Sequence, residues 1–132
     1  MKAVPRIGTT AERQYVVETK HAIEFANGGL PAVLSTPALI GLLERTAREA
    51  LADFLEPGET SLGTEIELRH LAPTPVGATV VCLARVVRVE RAAIAFQVEA
   101  RDEHELIARG FHRRRVIEVE RFAKRVSAKK KA

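Results

Sequence analysis

An α+β fold, with an antiparallel sheet wrapped around one long central helix, is predicted by three observations on the sequence. From Ser35 to Leu55 apolar residues recur every three or four positions, the period of an amphipathic helix. From Glu59 onward the period changes to two, the alternation of half-buried strands. The breaks at Glu90-Arg91 and Asp102-Glu103-His104 are so short that they suit hairpins and not crossovers. A helix with a wide apolar face and a curved sheet can bury each other around one core.

Taken in order, residues 1–11 read as a loose lead-in and Glu12 to Thr19, with Tyr15, Val16 and Val17, as a short strand. The pattern then breaks down, and Asn27-Gly28-Gly29-Leu30-Pro31 reads as a loop placed where a lid would sit. In the helix, Leu39, Leu43, Ala47, Ala50 and Phe54 form the apolar stripe. Ser35 or Thr36 can cap its N-terminus, Pro37 fits the first turn, and Glu56-Pro57-Gly58 stops it.

In the next strand Leu62, Thr64, Ile66, Leu68 and His70 share one face, expected to be buried. Gly63 marks a bulge or a close approach by something else. Pro73-Thr74-Pro75-Val76-Gly77 reads as a turn, followed by strands over Ala78 to Val89, Ala92 to Arg101 and Glu105 to Glu120. The expectation is four consecutive antiparallel strands. In the last, Ile107 and Phe111 share parity with Arg109 and Arg113, so its far half is expected at an edge or groove.

Composition narrows the function classes. The length of 132 residues suits one domain, expected over 1–126, with a basic, disordered tail over 127–132. No apolar run approaches the ~20 residues of a membrane span, and the N-terminus lacks a signal-peptide core, so a cytoplasmic protein with no membrane partner is expected. Cys82, the single cysteine, sits in the apolar run VVCLA and reads as core. Six of the 21 basic residues follow Glu120, the last of 17 acidic ones, so the body is slightly acidic and the net charge of +4 belongs to the tail. With no Trp and 5% aromatics, nucleic-acid binding is not expected.

The chemistry centres on a misfit. Glu44 falls on a helical row with Thr36, Ile40, Ala47 and Leu51, so a carboxylate interrupts an apolar stripe. If the layout holds, Thr36, Glu44 and His70 converge, supplying a hydroxyl, a carboxylate and an imidazole that can act as a general base. Each has a plainer reading: Thr36 as a cap, Glu44 as an arginine's partner, His70 as a satisfied core histidine. His21 reads as a solvated loop residue. No P-loop, G-x-G-x-x-G, C-x-x-C or H-E-x-x-H pattern is present.

The run VLSTPALIGLLERTAREALADFLEPGETSLGTEIELRHLAPTPVGATV, with the later GFHRRRVIEVERFAKRV, resembles the hot-dog-fold thioesterases of the fluoroacetyl-CoA thioesterase type. The resemblance covers about Val33 to Phe122 and implies a hot-dog fold that pairs as a homodimer with active sites near the interface, dimer versus tetramer remaining open. It implies hydrolysis of an acyl-CoA with no cofactor beyond the CoA of the substrate, Thr36, Glu44 and His70 forming the catalytic set. Gly63 aligns with the glycine that the family brings close to the thioester. Arg113, Arg114, Arg115, Lys124 and Arg125 are candidate partners for the CoA phosphates. Leu30 stands where the fluoroacetyl-specific enzyme carries a phenylalanine lid, so the acyl group is not fixed as fluoroacetyl. A non-catalytic acyl-thioester or small-ligand binding module is the alternative. A hot-dog hydratase ranks lower, because the helix lacks that group's Asp-and-His pair.

Overall fold

The computed structural model describes residues 1–23 and 28–130. Strand β1 (Thr10–Val16) leads through a single 3-10 turn to helix α1 (Thr36–Leu51), which ends in another 3-10 turn over Ala52–Phe54. Strands β2 (Glu59–His70), β3 (Thr79–Glu90), β4 (Ala93–Arg101) and β5 (Leu106–Glu118) follow, and helix α2 (Val119–Lys130) closes the chain. All five strands form one antiparallel sheet in the order β1-β3-β4-β5-β2.

Helix α1 lies on the concave face of this sheet. Its buried residues Leu39, Leu42, Leu43, Ala47 and Leu51 meet inward side chains such as Val80, Val86, Ile94, Phe96 and Val98, all nearly or wholly inaccessible. Each such Leu or Phe contributes about 1.5–3 kcal/mol through burial. Cys82 belongs to this core, and burial pushes its thiol up to about 12, which agrees with its reading as packing and not as a nucleophile.

The structure departs from the sequence expectations in strand order. Hairpins join β3 to β4 and β4 to β5, but β2 does not pair with β3. It lies beyond β5, so residues 71–78 pass across β5 and β4 to reach β3. Pro73–Gly77 therefore belongs to a crossing segment that contains the expected turn at its end, where the Ala78 N–H donates to the Pro75 carbonyl, and it is held by hydrogen bonds from Leu34 to Thr74, Val76 to Ala32 and Gly77 to Val17. A local Pro/Gly pattern signals that the chain bends but not how far it then travels. For the same reason β5 is interior to the sheet, between β4 and β2, and its far half does not lie at an edge.

The two edges are unlike. β1 is seven residues long, whereas β2 offers twelve residues of edge, with Leu62 and Thr64 exposed near its middle. Ser127–Lys130, expected to be disordered, continue α2 as helix; Lys131 and Ala132 lie outside the described residues. No residue of α2 is buried, and its apolar stripe of Val119, Phe122 and Val126 is 38–46% exposed. No helix among the described residues is long and apolar enough to cross a membrane.

Candidate active site

Two clusters of reactive side chains line the β2-facing side of the helix, one at its N-terminus and one near its middle. The first is at the N-terminus of α1. Ser35 is the N-cap and its hydroxyl accepts from the Ala38 N–H at 3.2 Å, with Pro37 in the first turn. The cap is thus already provided, and Thr36, exposed beside it, is free to turn its hydroxyl elsewhere. It does so: Thr36 Oγ1 lies 2.8 Å from His70 Nδ1 at the last residue of β2. His70 Nε2 is buried and makes no hydrogen bond among the described residues. Burial lowers the His70 pKa from its ordinary value, and the Ala72 backbone offsets part of that effect. The imidazole is therefore neutral near pH 7, the form that a base requires. An open groove beside this pair is lined by Ala22, Ile23, Pro37 and Ala38, with Lys20 at its rim.

The second cluster lies two turns further along α1. β2 carries a bulge between Gly63 and Glu65, which reverses the strand's alternation. Ser61 and Gly63 face α1 before the bulge, and Ile66, Leu68 and His70 after it. Leu62 and Thr64, expected on the buried face with His70, are therefore exposed. Gly63 fulfils both expectations placed on it: besides the bulge, a β-carbon there would collide with the Glu44 carboxylate. Only glycine lets Glu44 approach the strand so closely.

Glu44 is not the isolated buried carboxylate that the helical pattern suggested. Its side chain is 41% exposed, and Oε2 lies 3.4 Å from Nη1 of Arg114, whose side chain is only 5% exposed. Arg114 donates from Nε to Ser61 Oγ and from Nη2 to the Ser61 carbonyl, both at 2.8 Å. Its Nη1 is 3.2 Å from Nε2 of buried His112. Burial lowers the Arg114 pKa, the Glu44 charge pushes it back up, and Arg48 lowers it again.

The structure therefore brings together two of the three expected catalytic residues. Thr36 and His70 are hydrogen-bonded, whereas Glu44 is eight residues and about 12 Å along the helix from Thr36 and faces Arg114 and Gly63. Arg114, expected to meet phosphates, is buried and hydrogen-bonded to Ser61. Arg113 pairs with Glu65 at 3.4 Å and Arg115 is exposed. Lys124 faces Glu120 one helical turn away at 3.9 Å, and Arg125 is exposed beside it on α2. Arg45 and Arg48, adjacent to Glu44 on α1, are exposed and make no ion pair among the described residues; with Lys2 they line an open groove against Gly58 and Thr60. Leu30 is 51% exposed, next to Gly28 and Gly29 in the left-handed region; Asn27, part of the expected lid, lies outside the described residues. His21 accepts the Glu18 N–H at Nδ1 and is accounted for locally.

His112 is the site residue that sequence reading missed. It sits in GFHRRR, where flanking arginines suggest a solvated strand. The available signal was the even-numbered set Ala108, Gly110, His112, Arg114 and Val116, which faces inward. The odd set misled because Ile107 and Ala108 are both buried at another register shift, where Ile107 is the extra residue between the pairs Ala100–Ala108 and Arg101–Leu106.

Comparisons with known proteins bear on the family and the fold. The family model described as "Fluoroacetyl-CoA-specific thioesterase" matches residues 16–120. The fluoroacetyl-CoA thioesterase of Streptantibioticus cattleyicolor is 36% identical over 98% of this chain and 97% of its own length. A crystal structure of a variant of the fluoroacetyl-CoA-specific thioesterase superposes with a TM-score of 0.90 at 36% identity, covering 97% of this chain and 99% of that one. A hypothetical protein of Thermus thermophilus, a thioesterase superfamily member, superposes at 0.89 with 27% identity over 99% of this chain and 96% of its own. A hot-dog-like protein from Thermanaerovibrio acidaminovorans gives 0.85 and 28%, covering 93% and 91%.

Proposed function

The chain belongs to the fluoroacetyl-CoA-specific thioesterase family, a hot-dog thioesterase group, and on that premise we propose that it hydrolyses an acyl-CoA thioester to CoA and a carboxylic acid. The observation that carries the reading is the 2.8 Å contact between Thr36 Oγ1 and a neutral His70. With Nδ1 accepting, His70 withdraws a proton from Thr36, or through it from water. The attacking oxygen adds to the thioester carbonyl, the C–S bond breaks, and the proton passes to the departing thiolate; attack by water gives the acid directly, whereas attack by Thr36 leaves an acyl-threonine ester that a water deprotonated by His70 then cleaves, the proton returning to Thr36 Oγ1. A backbone N–H near Gly63 is the candidate oxyanion donor. Arg45 and Arg48 are better placed than Arg114 to meet CoA phosphates. With Leu30 exposed where a lid phenylalanine would stand, the acyl group is left wider than fluoroacetyl, and short- and medium-chain acyl-CoAs are the substrates to test.

Glu44 completes this site when two copies pair. β2 is the long free edge of the sheet, the kind of edge that proteins cover. If β2 strands pair antiparallel about a two-fold axis near Ile66 and Glu67, Gly63 comes opposite His70 of the partner subunit. The Glu44 and Gly63 of one chain then face the hydroxyl–imidazole pair of the other, in an isologous homodimer with two equal sites. The intrachain separation of Glu44 from His70 favours a second reading, a module that binds acyl thioesters without turnover.

Release of free thiol from a panel of short- and medium-chain acyl-CoAs separates the two. The hydrolase reading expects turnover on at least one member; saturable binding without thiol release on every member selects the binding module.

A further inference from the structure

The buried cluster behind Glu44 assigns a task to His112, a histidine only 2% exposed. Arg114 has five N–H donors in a fixed fork. Two are spent on Ser61, Nε–H on Oγ and Nη2–H on the carbonyl, each at 2.8 Å. The remaining guanidinium nitrogen, Nη1, faces Glu44 Oε2 at 3.4 Å and His112 Nε2 at 3.2 Å. For His112 Nε2 to accept from Arg114, the ring must be neutral with its proton on Nδ1, and Nδ1 lies 2.8 Å from the Glu65 carbonyl, an acceptor that such a proton satisfies. The neutral form is favoured by burial, and the Arg114 charge acts in the same direction, while the Glu65 carbonyl and Glu44 oppose it. The ring is stacked on Phe96 with centroids 6.3 Å apart, and its Cε1 would lie 3.0 Å from a β-carbon on Gly63.

His112 therefore touches both parts of the second cluster. Through Nδ1–H it satisfies a carbonyl on the far side of the Gly63/Glu65 bulge, and through Nε2 it fixes the last nitrogen of Arg114. We propose that His112 is a positioning residue for the thioesterase reaction, fixing the Arg114 fork so that Nη1 holds the Glu44 carboxylate over Gly63. The proposal rests on the function argued above. Without the Nε2 acceptor, buried Nη1 loses its nearer partner and the planar fork is held at Ser61 alone, so the guanidinium can tilt as a unit, and Glu44, 41% exposed, has no second partner among the described residues to keep it over Gly63.

Three substitutions separate the halves of this role. H112F keeps a flat ring against Phe96 and loses both polar contacts; H112Q restores an acceptor at the position of Nε2; H112N keeps only a donor near Glu65. In steady-state thiol release, H112F is expected to lose about tenfold or more in kcat with KM within about twofold, because misplaced groups cost turnover before binding. H112Q recovers most of that loss and H112N stays near H112F. A kcat for H112F equal to wild type overturns the proposal, as does recovery in H112N with none in H112Q, which would make His112 a clamp of the bulge alone. The Arg114 Nε–H resonance reads the same network without turnover: slow solvent exchange in wild type, faster exchange in H112F and return in H112Q are expected. Unchanged protection in H112F overturns the positioning role. Normal behaviour of this resonance in a chain that releases no thiol from any acyl-CoA overturns the hydrolase reading instead.

Discussion

The two clusters on the helix's β2-facing side differ in how fully their polar groups are used. At the second cluster every group of Arg114 and His112 facing Glu44 has a partner, and the guanidinium is almost wholly buried. At the first, Thr36 is exposed, His70 has one partner, and its Nε2 is buried with none among the described residues. A satisfied network fixes one geometry, whereas an unsatisfied buried nitrogen costs free energy unless something completes it. Under the proposed function, the second cluster holds a carboxylate still and the first exchanges a proton.

Predictions follow from breaking one cluster at a time. The largest effects are expected at the reacting groups: Glu44→Gln and His70→Ala should each lower kcat by about 10²–10⁴-fold, measured as thiol release, while circular dichroism stays that of wild type. Gly63→Ala comes next. Its methyl would occupy the space of the Glu44 carboxylate, so kcat should fall about 10²-fold with the Thr36–His70 pair intact. At the first cluster, Thr36→Ala should cost about tenfold in kcat and little in Tm, whereas Ser35→Ala should cost about 1 kcal/mol of stability as a lost cap and keep most of the activity. Denaturant titrations beside the kinetics would separate these neighbours.

The smallest effect is in pH dependence. His70 and His112 both have folded pKa values below the ordinary 6.5 of histidine, burial being the first cause in each. A lowered histidine pKa means the unfolded chain binds protons first. Stability is then full above the unfolded value and declines as pH falls from about 6.5 toward the folded values. H112F should flatten this decline, leaving the share due to His70. An unchanged slope in H112F would remove His112 from the account.

How much of this was legible in the sequence depends on whether a signal was local. The helix, its cap and both hairpins follow from periods and turn residues within a few positions of one another. The facing of β2 was not legible, because a single extra residue after Gly63 reverses parity, and glycine announces a bulge without stating its length. The pairing of β2 with β5 was hidden as well, since residues 71–78 look alike whether they turn or cross. Glu44 was found as a misfit in a stripe. Its actual partner, Arg114, lies 70 residues away within three consecutive arginines, where charge argues for solvent and only the strand's register argues for burial.

The central claim is that one working site draws Thr36 and His70 from one chain and Glu44 and Gly63 from another. The most direct measurement co-expresses a Glu44→Gln chain and a His70→Ala chain under different affinity tags, isolates the mixed dimer, and compares its thiol release with that of each mutant homodimer. A shared site leaves one of two sites with every group intact, so the mixed dimer should recover about half of wild-type activity from two nearly inactive parents. A mixed dimer as inactive as its parents would contradict the shared site and place all the chemistry within single chains.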